Sequence, residues 1–261
     1  MAMEEEEAPC QFAALPKPPK WAFFDSHVAS CLKKWDMARN MQVARFRYSK
    51  PFHKMSPDGF LRDFFASEQV AEALKVAGPG GEWVPPSAVD GVQYEVVPAT
   101  VTSMSFFDRL ETCEPPIVRA GTGSLAQCLD QVVEGFTVSD LLREMVLCEE
   151  SDNYELYTPA ERSELIFRLM AHLAVGGSMC QWEDRAEGLL DVVKALYKAM
   201  LTVVERDGAV EVASNVYAVT GVQSERWQLF PKPSRQNFML VAVDPTRRWA
   251  TVWYHAWRNH W

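Results

Sequence analysis

The sequence predicts an α+β protein, with mixed helices and strands and a C-terminal antiparallel meander packed under two amphipathic helices. Clear helix-start and helix-stop signals occupy the middle third, and strand-like alternation replaces them after residue 209. A five-residue link with proline at its second position, Asp244-Pro-Thr-Arg-Arg248, joins the last two strands as a hairpin would. The 261 residues are 48% hydrophobic and 23% charged, which is enough to bury a sizeable core.

The two ends are predicted to be tails. Residues 1–19 contain four consecutive glutamates and four prolines with little periodicity, which predicts an acidic, proline-rich flexible tail. The glutamates stand where a secretory signal needs positive charge, so we expect no signal peptide. Residues 20–257 are expected to form a single compact α+β domain with a possible subdivision near 78–91, followed by a short tail at 258–261.

Short elements are predicted in the first half of the chain. An aromatic strand is expected over 20–24, and Asp25 or Ser26 can cap a helix that runs to about residue 41. The spacing of apolar residues then predicts a strand over 42–48, two short helices from Ser56 onward, strands over 83–84 and 93–101, and helical stretches over 105–110 and 125–133.

The middle third carries the strongest helix signals. Thr158 and Glu161 form a capping box, and Gly176 followed by Gly177 supplies the stop. A second amphipathic helix is predicted over 183–204, with a broad apolar half opposite a charged stripe. The members of that stripe are Asp184, Glu187, Asp191, Lys194 and Lys198. It is a second candidate surface, although a solvated helix face is the simpler interpretation.

Strands are predicted over 209–219, 237–243 and 249–257. Alternation along the last strand puts Trp249, Thr251, Trp253, His255 and Trp257 on one face. Alanine, valine and tyrosine fill the opposite face, so both faces are expected to be occupied.

Charge is unevenly distributed along the chain. The net charge of −9 excludes nonspecific binding of the whole surface to DNA or anionic lipid. Residues 226–261 nevertheless hold six basic residues and one acidic residue. Four tryptophans also lie after residue 248. This combination of basic and aromatic residues has three interpretations: a sheet that buries its aromatic residues, a protein-binding surface, or a single-stranded nucleic-acid site.

Motifs for cofactor or metal chemistry are weak. The 121–124 loop, Gly-Thr-Gly-Ser, precedes a predicted helix whose first amides could hold a phosphate, but it lacks the lysine of a P-loop. A plain loop is the alternative. The five histidines form no HxH or HExxH pattern, and the six cysteines form no CxxC pair. We therefore expect no metal and no cofactor, and reduced thiols in a cytosolic protein.

Four stretches together resemble the cilia- and flagella-associated protein 300 family. They are Met104-Ser-Phe-Phe-Asp-Arg-Leu110, Cys128-Leu-Asp130, Gly176-Gly-Ser-Met-Cys-Gln-Trp-Glu-Asp184, and Val243-Asp-Pro-Thr-Arg-Arg248 followed by Tyr254-His255. The resemblance extends from about Trp21 to Ala256. No member of these stretches matches a catalytic signature.

The resemblance implies a non-enzymatic protein of motile cilia, present in cytoplasm and axoneme and needed for assembly of outer and inner dynein arms. It implies partners among kintoun-type dynein assembly factors, axonemal dynein complexes and the intraflagellar transport machinery, with no nucleic acid and no membrane. A structural axonemal subunit, or a nucleotide-binding protein that uses the 121–124 loop, is the alternative. We predict that the partner-binding residues are Arg247, Arg248, Trp249, Trp253 and His255.

Overall fold

The computed structural model describes residues 8–258, which form two compact units. Within the described residues, the first unit comprises 8–18, 41–96 and 214–258, and the second comprises 19–40 and 97–213. The 78–91 segment lies inside the first unit. The single-domain organisation stays a prediction. The glutamate-rich start of the predicted N-terminal tail and the last three residues of the C-terminal tail lie outside the described residues.

The described part of the chain contains both helices and strands, which confirms the α+β class. In chain order, the helices are α1 (Ser26–Lys34), α2 (Pro57–Ala66), α3 (Glu68–Ala73), α4 (Arg109–Thr112), α5 (Leu141–Leu147), α6 (Pro159–Ser163), α7 (Leu165–Val175) and α8 (Ala186–Met200). The strands are β1 (Phe12–Ala14), β2 (Met41–Tyr48), β3 (Val76–Ala77), β4 (Trp83–Val84), β5 (Gly91–Val97), β6 (Gln127–Val133), β7 (Phe136–Asp140), β8 (Val203–Arg206), β9 (Ala209–Val212), β10 (Asn215–Gln223), β11 (Phe238–Asp244) and β12 (Trp249–His255). Short 3₁₀ helices occupy Ala22–Phe24, Ala38–Asn40, Met104–Phe107 and Tyr154–Leu156.

A six-stranded sheet in the order β1-β2-β12-β11-β10-β5 forms the centre of the first unit. The predicted C-terminal meander is present as β10, β11 and β12, which pair antiparallel in sequence order. Strand β12 also pairs antiparallel with β2, about 200 residues earlier in the chain, with Trp249 opposite Arg47 and Thr251 opposite Arg45. The N-terminal part of the chain therefore completes the sheet that the C-terminal part begins.

Helices α2 and α3 cover one face of this sheet. Their apolar residues, including Phe60, Phe64 and Val70, share a core with Phe46 and Tyr254 from the strands. The amphipathic helices between 158 and 204 were predicted to cover the sheet, but that prediction is wrong for this face. Those helices, α7 and α8, belong to the second unit and pack on each other there. Amphipathicity predicts that a helix buries one face, but it does not identify the surface that the helix meets.

Strand β1 lies within the segment predicted to be a flexible tail. Phe12 is buried, and its ring packs edge-on against Phe60 and Phe64. The Phe12–Ala14 backbone pairs with Phe46–Tyr48 of β2. Residues 12–14 are therefore held at the sheet edge, because the Phe12 side chain is buried against the rings of α2.

The second unit is built around α7 and α8, and it confirms the helix start predicted at Thr158 and the stop predicted at Gly176. The helix predicted over 183–204 is shorter, because α8 covers Ala186–Met200 and strand β8 begins at Val203. Thr158 Oγ1 accepts a hydrogen bond from the Glu161 amide and the Glu161 carboxylate accepts one from the Thr158 amide, so the capping box is present. Gly176 ends α7 with φ of +65°, a conformation that favours glycine. The chain also bends at Glu164, whose carboxylate accepts hydrogen bonds from the backbone amide and hydroxyl of Thr100.

Three predicted elements are wrong. The 125–133 segment forms strand β6 in place of a helix, because Glu134 and Gly135, both with positive φ, make a two-residue turn that pairs it with β7. Residues 20–24 contain a 3₁₀ helix and no strand, since Trp21 is buried and donates its indole N–H to the carbonyl of Ala199. Helix α1 ends at Lys34 and does not reach residue 41.

Candidate functional site

The predicted basic surface lies at the turn between β11 and β12. Asp244, at the end of β11, accepts hydrogen bonds from the backbone amides of Thr246 and Arg247, each at 2.9 Å. Asp244 is buried, so its carboxylate stabilises the turn from inside. Arg248 has φ of +55°, and its carbonyl accepts a hydrogen bond from the Tyr48 amide. The turn is thus held by its own residues and by the neighbouring strand β2.

Four arginines and one tryptophan from β2 and this turn form a surface that we call the basic hairpin: Arg45, Arg47, Arg247, Arg248 and Trp249. Arg45 and Arg247 both lie over the Trp249 ring, with their guanidinium carbons 5.2 Å and 5.3 Å from its centroid. Arg248 donates to the carbonyl of Ser49 at 2.8 Å. These contacts fix the direction of the guanidinium groups, while Arg47, Arg247 and Arg248 remain exposed.

Within the basic hairpin, Arg45 and Arg247 are close enough to act on each other as like charges. Burial lowers the pKa of the Arg45 guanidinium, and the nearby positive charge of Arg247 lowers it further. Asp244 offsets part of this effect. An acidic surface placed against the hairpin would relieve the repulsion between these cations, so the chemistry of the site favours an anionic partner.

Two of the five predicted binding residues are not at the surface. Trp253 and His255 each have 0% of their surface exposed. The Trp253 ring packs edge-on against Phe238 at 4.8 Å, and the His255 ring stacks on Phe238 at 5.5 Å. His255 Nδ1 also lies 2.6 Å from the carbonyl oxygen of Gln236. Within the predicted set, Arg247, Arg248 and the partly exposed Trp249 are the members positioned to meet another molecule.

Arg45 and Arg47 were not among the binding residues predicted from the sequence. Their alternation along β2 places them on one face of that strand, but nothing local indicates that β2 pairs with β12. The register between the two strands is what brings Arg45 and Arg47 beside Trp249.

The 176–184 stretch forms a loop that fits against the end of α1. The amide of Gly177 donates to the Trp35 carbonyl at 2.8 Å, and the amide of Met179 donates to the Asp36 carboxylate at 2.9 Å. Glu183 accepts from the Trp35 indole N–H at 3.1 Å and pairs with Lys34 at 2.8 Å. Hydrogen bonding to Glu183 accordingly raises the pKa of Lys34.

The two glycines of this loop are required by close backbone contact. A Cβ atom on Gly177 would lie 2.2 Å from the Asp36 carbonyl oxygen, and one on Gly176 would lie 3.0 Å from the Trp35 carbonyl oxygen. The loop resembles no catalytic turn. Its glycines, tryptophan and glutamate instead lock it to α1, so its role in this structure is to hold the second unit together.

A buried ion pair lies beneath the same loop. Asp140 and Arg143 form a salt bridge with their side chains 1% and 7% exposed, and the Arg143 guanidinium lies 3.8 Å from the centroid of the Trp182 ring. Asp140 also caps α5 by accepting from the Arg143 amide at 2.9 Å. Burial lowers the pKa of Arg143 to about 10, so the guanidinium stays charged at neutral pH.

The 121–124 loop lacks the features that would hold a phosphate. The amides of Thr122 and Gly123 both donate to the Arg119 carbonyl, and the amide of Ser124 donates to the Thr122 hydroxyl. The loop leads into a bridge between Val118 and Leu125 and then into β6, so it has no helix N-terminus behind it. Its amides serve the turn itself.

All six cysteines are free, with three buried and three partly buried. Burial raises the pKa of the Cys180 thiol from 9.0 to about 12, which makes it a poor nucleophile at neutral pH. Among residues 8–258, no group of three or more histidine, cysteine, aspartate or glutamate side chains is placed to hold a metal ion. No helix in that range has the length and apolar character needed to cross a membrane.

Comparison with known proteins decides the family. The family model for cilia- and flagella-associated protein 300 matches residues 9–255. The chain belongs to this family. It is 39% identical to cilia- and flagella-associated protein 300 of Chlamydomonas reinhardtii over 259 residues, covering 96% of this chain and 99% of the relative. The Paramecium tetraurelia protein of the same name is 27% identical, covering 91% and 90%. No solved structure matches.

Membership of the family confirms the resemblance that the four sequence stretches indicated and associates the chain with cilia and flagella. The family match spans both units, the 176–184 loop and the basic hairpin. The relatives are named for their location and not for a reaction.

Proposed function

We propose that the chain is a non-enzymatic binding protein that acts in the assembly or intraflagellar transport of outer and inner axonemal dynein arms, and so in ciliary motility. It would act in the cytoplasm and at the axoneme. Family membership supports the ciliary setting. The absence of a catalytic signature in the sequence is compatible with a role that depends on contacts between proteins.

The exposed guanidinium groups of the basic hairpin carry this proposal. Arg247 and Arg248 are exposed, yet the turn that presents them is pinned by Asp244 and by strand β2. A surface that is ordered before binding loses little conformational entropy on association. Arginine is also enriched at the energetic centres of protein interfaces. The partner surface should be acidic, and a kintoun-type dynein assembly factor is the partner that we propose first, with axonemal dynein complexes and the transport machinery beyond it.

Charge reversal tests the surface. Replacing Arg247→Glu together with Arg248→Glu should weaken binding to the purified assembly factor about tenfold or more and should flatten the dependence of affinity on salt. The matched control is Lys54→Glu with Arg62→Glu, which changes net charge equally at two exposed positions of the same unit. Titration by fluorescence anisotropy at two salt concentrations measures both effects. Equal affinity for the two double variants would overturn the assignment of the hairpin.

A second measurement separates a transient factor from a structural subunit of the axoneme. Tagged protein is purified from cytoplasm of cells regrowing cilia and, in parallel, from isolated axonemes. Dynein heavy chains and assembly factors enriched only in the cytoplasmic sample would support the assembly role. Stoichiometric recovery only from axonemes would replace it with a structural role.

Nucleotide binding at the 121–124 loop has little support, because the loop amides already donate within the turn. ATP with Mg²⁺ is expected to leave the thermal unfolding temperature unchanged. A ligand present at 100 times its dissociation constant would add about 2.7 kcal/mol to the free energy of unfolding, which such a scan detects.

A further inference from the structure

A groove of about 610 Å³ opens on the second unit, between helix α8 and the segment that contains the Met104–Phe107 3₁₀ helix and α4. Apolar side chains form its floor, among them the buried Phe107 and Leu110 and the partly exposed Leu190. Two features singled out in the sequence, the 104–110 stretch and the charged stripe of α8, therefore face each other across one groove. The basic hairpin contributes nothing to it.

The rim of the groove is acidic. Asp108 and Glu111 stand on one side, Glu187 and Asp191 stand on the other, and Lys194 is the one basic lining residue. All five are exposed. Within the described part of the chain, the carboxylates of Asp108, Glu111 and Asp191 form no ion pair, so their charges are not neutralised by the fold.

The charge of the whole unit reinforces that of the rim. Residues 19–40 and 97–213 hold 22 acidic and 13 basic residues, so the second unit alone carries a charge of −9, equal to that of the entire chain. A field of this sign repels phosphate groups and attracts cations. Nucleotides and nucleic acids are therefore poor occupants, although the groove is large enough for a small ligand.

We propose that this groove binds a short basic, amphipathic segment of a partner protein. Apolar side chains of the segment would lie on Leu110 and Leu190, and its lysine or arginine side chains would pair with the rim carboxylates. The α8 residues that line the groove run from Ala186 to Lys194, a span of about 12 Å at the helical rise. That length matches about two turns of a bound helix.

This contact is separate from the one proposed for the basic hairpin. The two surfaces have opposite charge, so a partner region that fits the hairpin is repelled by the groove. The chain would then bind two differently charged protein regions through two different units.

The probe for the experiment is a synthetic fluorescent peptide of about 14 residues, with leucines at helical spacing on one face and lysines elsewhere. One comparison peptide replaces every lysine with glutamate, and another replaces every leucine with serine. The leucine–lysine peptide should bind the full-length protein and lose affinity as salt is raised. Neither comparison peptide should match it, because each lacks one of the two complementary features.

Charge reversal then locates the binding. Glu111→Lys with Asp191→Lys should weaken binding of the leucine–lysine peptide at least about tenfold. The control, Glu149→Lys with Glu205→Lys, changes net charge equally at exposed positions outside the groove. This control should retain peptide binding. Hydrogen exchange should show protection over 104–112 and 186–194 when the peptide is bound. Equal weakening by both double variants would overturn the proposal, since attraction would then be nonspecific.

A second copy of the chain is the remaining occupant to distinguish. Analytical ultracentrifugation of the wild-type protein is expected to give a concentration-independent mass. Self-association that disappears in the Glu111→Lys, Asp191→Lys variant would overturn the proposal and assign the groove to contacts between copies.

Discussion

Separating the buried pair of Asp140 and Arg143 should cost much more stability than removing both charges together. Their side chains are 1% and 7% exposed, so either charge left alone would remain in a poorly solvated site. Breaking a buried pair typically costs about 3–5 kcal/mol, whereas replacing the whole pair with neutral groups is often nearly neutral. Asp140→Asn should cost about 3 kcal/mol, because Arg143 keeps its contact with the Trp182 ring. Arg143→Met should cost about 4 kcal/mol, because the Asp140 carboxylate is then unpaired.

The double variant decides whether this reasoning is correct. Asparagine caps helices about as well as aspartate, so Asp140→Asn keeps the hydrogen bond to the Arg143 backbone amide. The methionine of Arg143→Met can pack on the Trp182 ring in place of the guanidinium. We expect the double variant to lie within about 2 kcal/mol of the wild type, well below the sum of the single costs.

Urea unfolding at neutral pH, followed by far-ultraviolet circular dichroism, measures all three free energies. Asp130→Asn, at an exposed position of β6, is the control and should change stability by less than about 0.5 kcal/mol. Single variants that cost less than about 1 kcal/mol, or a double variant as unstable as the sum of the singles, would refute the argument from buried charge.

Three further predictions concern the second unit. Gly177→Ala should destabilise the protein by about 2–3 kcal/mol, because the added Cβ would meet the Asp36 carbonyl. The control Gly188→Ala, in α8 with no atom nearer than 4.0 Å to the added Cβ, should stabilise the protein by about 0.5–1 kcal/mol. Equal shifts of the thermal unfolding temperature in the two variants would contradict this prediction. Above pH 9 the unfolded chain loses the proton that Cys180 retains to about pH 12 when folded, so stability should fall as pH rises. Cys180→Ala should reduce that fall by about 2 kcal/mol at about pH 10.5. Thr158→Ala removes the capping box and should cost about 1 kcal/mol in urea unfolding, so an unchanged midpoint would contradict the cap.

The sequence predicted best those elements whose signals are local. The capping box at Thr158, the glycine stop at Gly176 and the β11–β12 hairpin all depend on residues within a few positions of one another. Each depends on a local physical cause and not on distant contacts. The causes are, in turn, a helix-start amide that needs an acceptor, a positive φ, and a turn that reverses the strand direction.

Hairpins on the surface of the second unit were missed although their turns carried a signal. Glu134–Gly135 and Asp207–Gly208 both have positive φ at two successive residues, the conformation of tight hairpin turns. The flanking strands are largely exposed, with Leu129 at 91%, so they lack the apolar alternation by which a half-buried strand is detected. The sequence signal for each hairpin was an aspartate–glycine or glutamate–glycine pair between two short runs of residues that favour strands.

The candidate site could be predicted only in part for a different reason. Alternation along β12 correctly separated its two faces, and both are buried. The alternation pattern alone could not show that Trp253 and His255 are buried while Trp249, at the end of β12, is partly exposed. Nor could it supply Arg45 and Arg47, which reach the site through a pairing between strands about 200 residues apart. Exposure at a strand end and register between distant strands are properties of the assembled sheet.

Net charge is distributed unevenly between the two units. The chain total of −9 predicts a protein that avoids anionic partners, yet this total belongs entirely to the second unit, and the remaining residues are neutral overall. The basic hairpin can therefore attract an acidic protein surface while the acidic groove attracts a basic segment. Because the two proposed contacts depend on different residues with opposite charge, reversal at Arg247 and Arg248 should leave peptide binding at the groove intact. Reversal at Glu111 and Asp191 should likewise leave binding to the acidic partner intact. Under the proposed role in assembly or transport, the chain would hold one partner while it releases another, and two surfaces of opposite charge would meet that requirement.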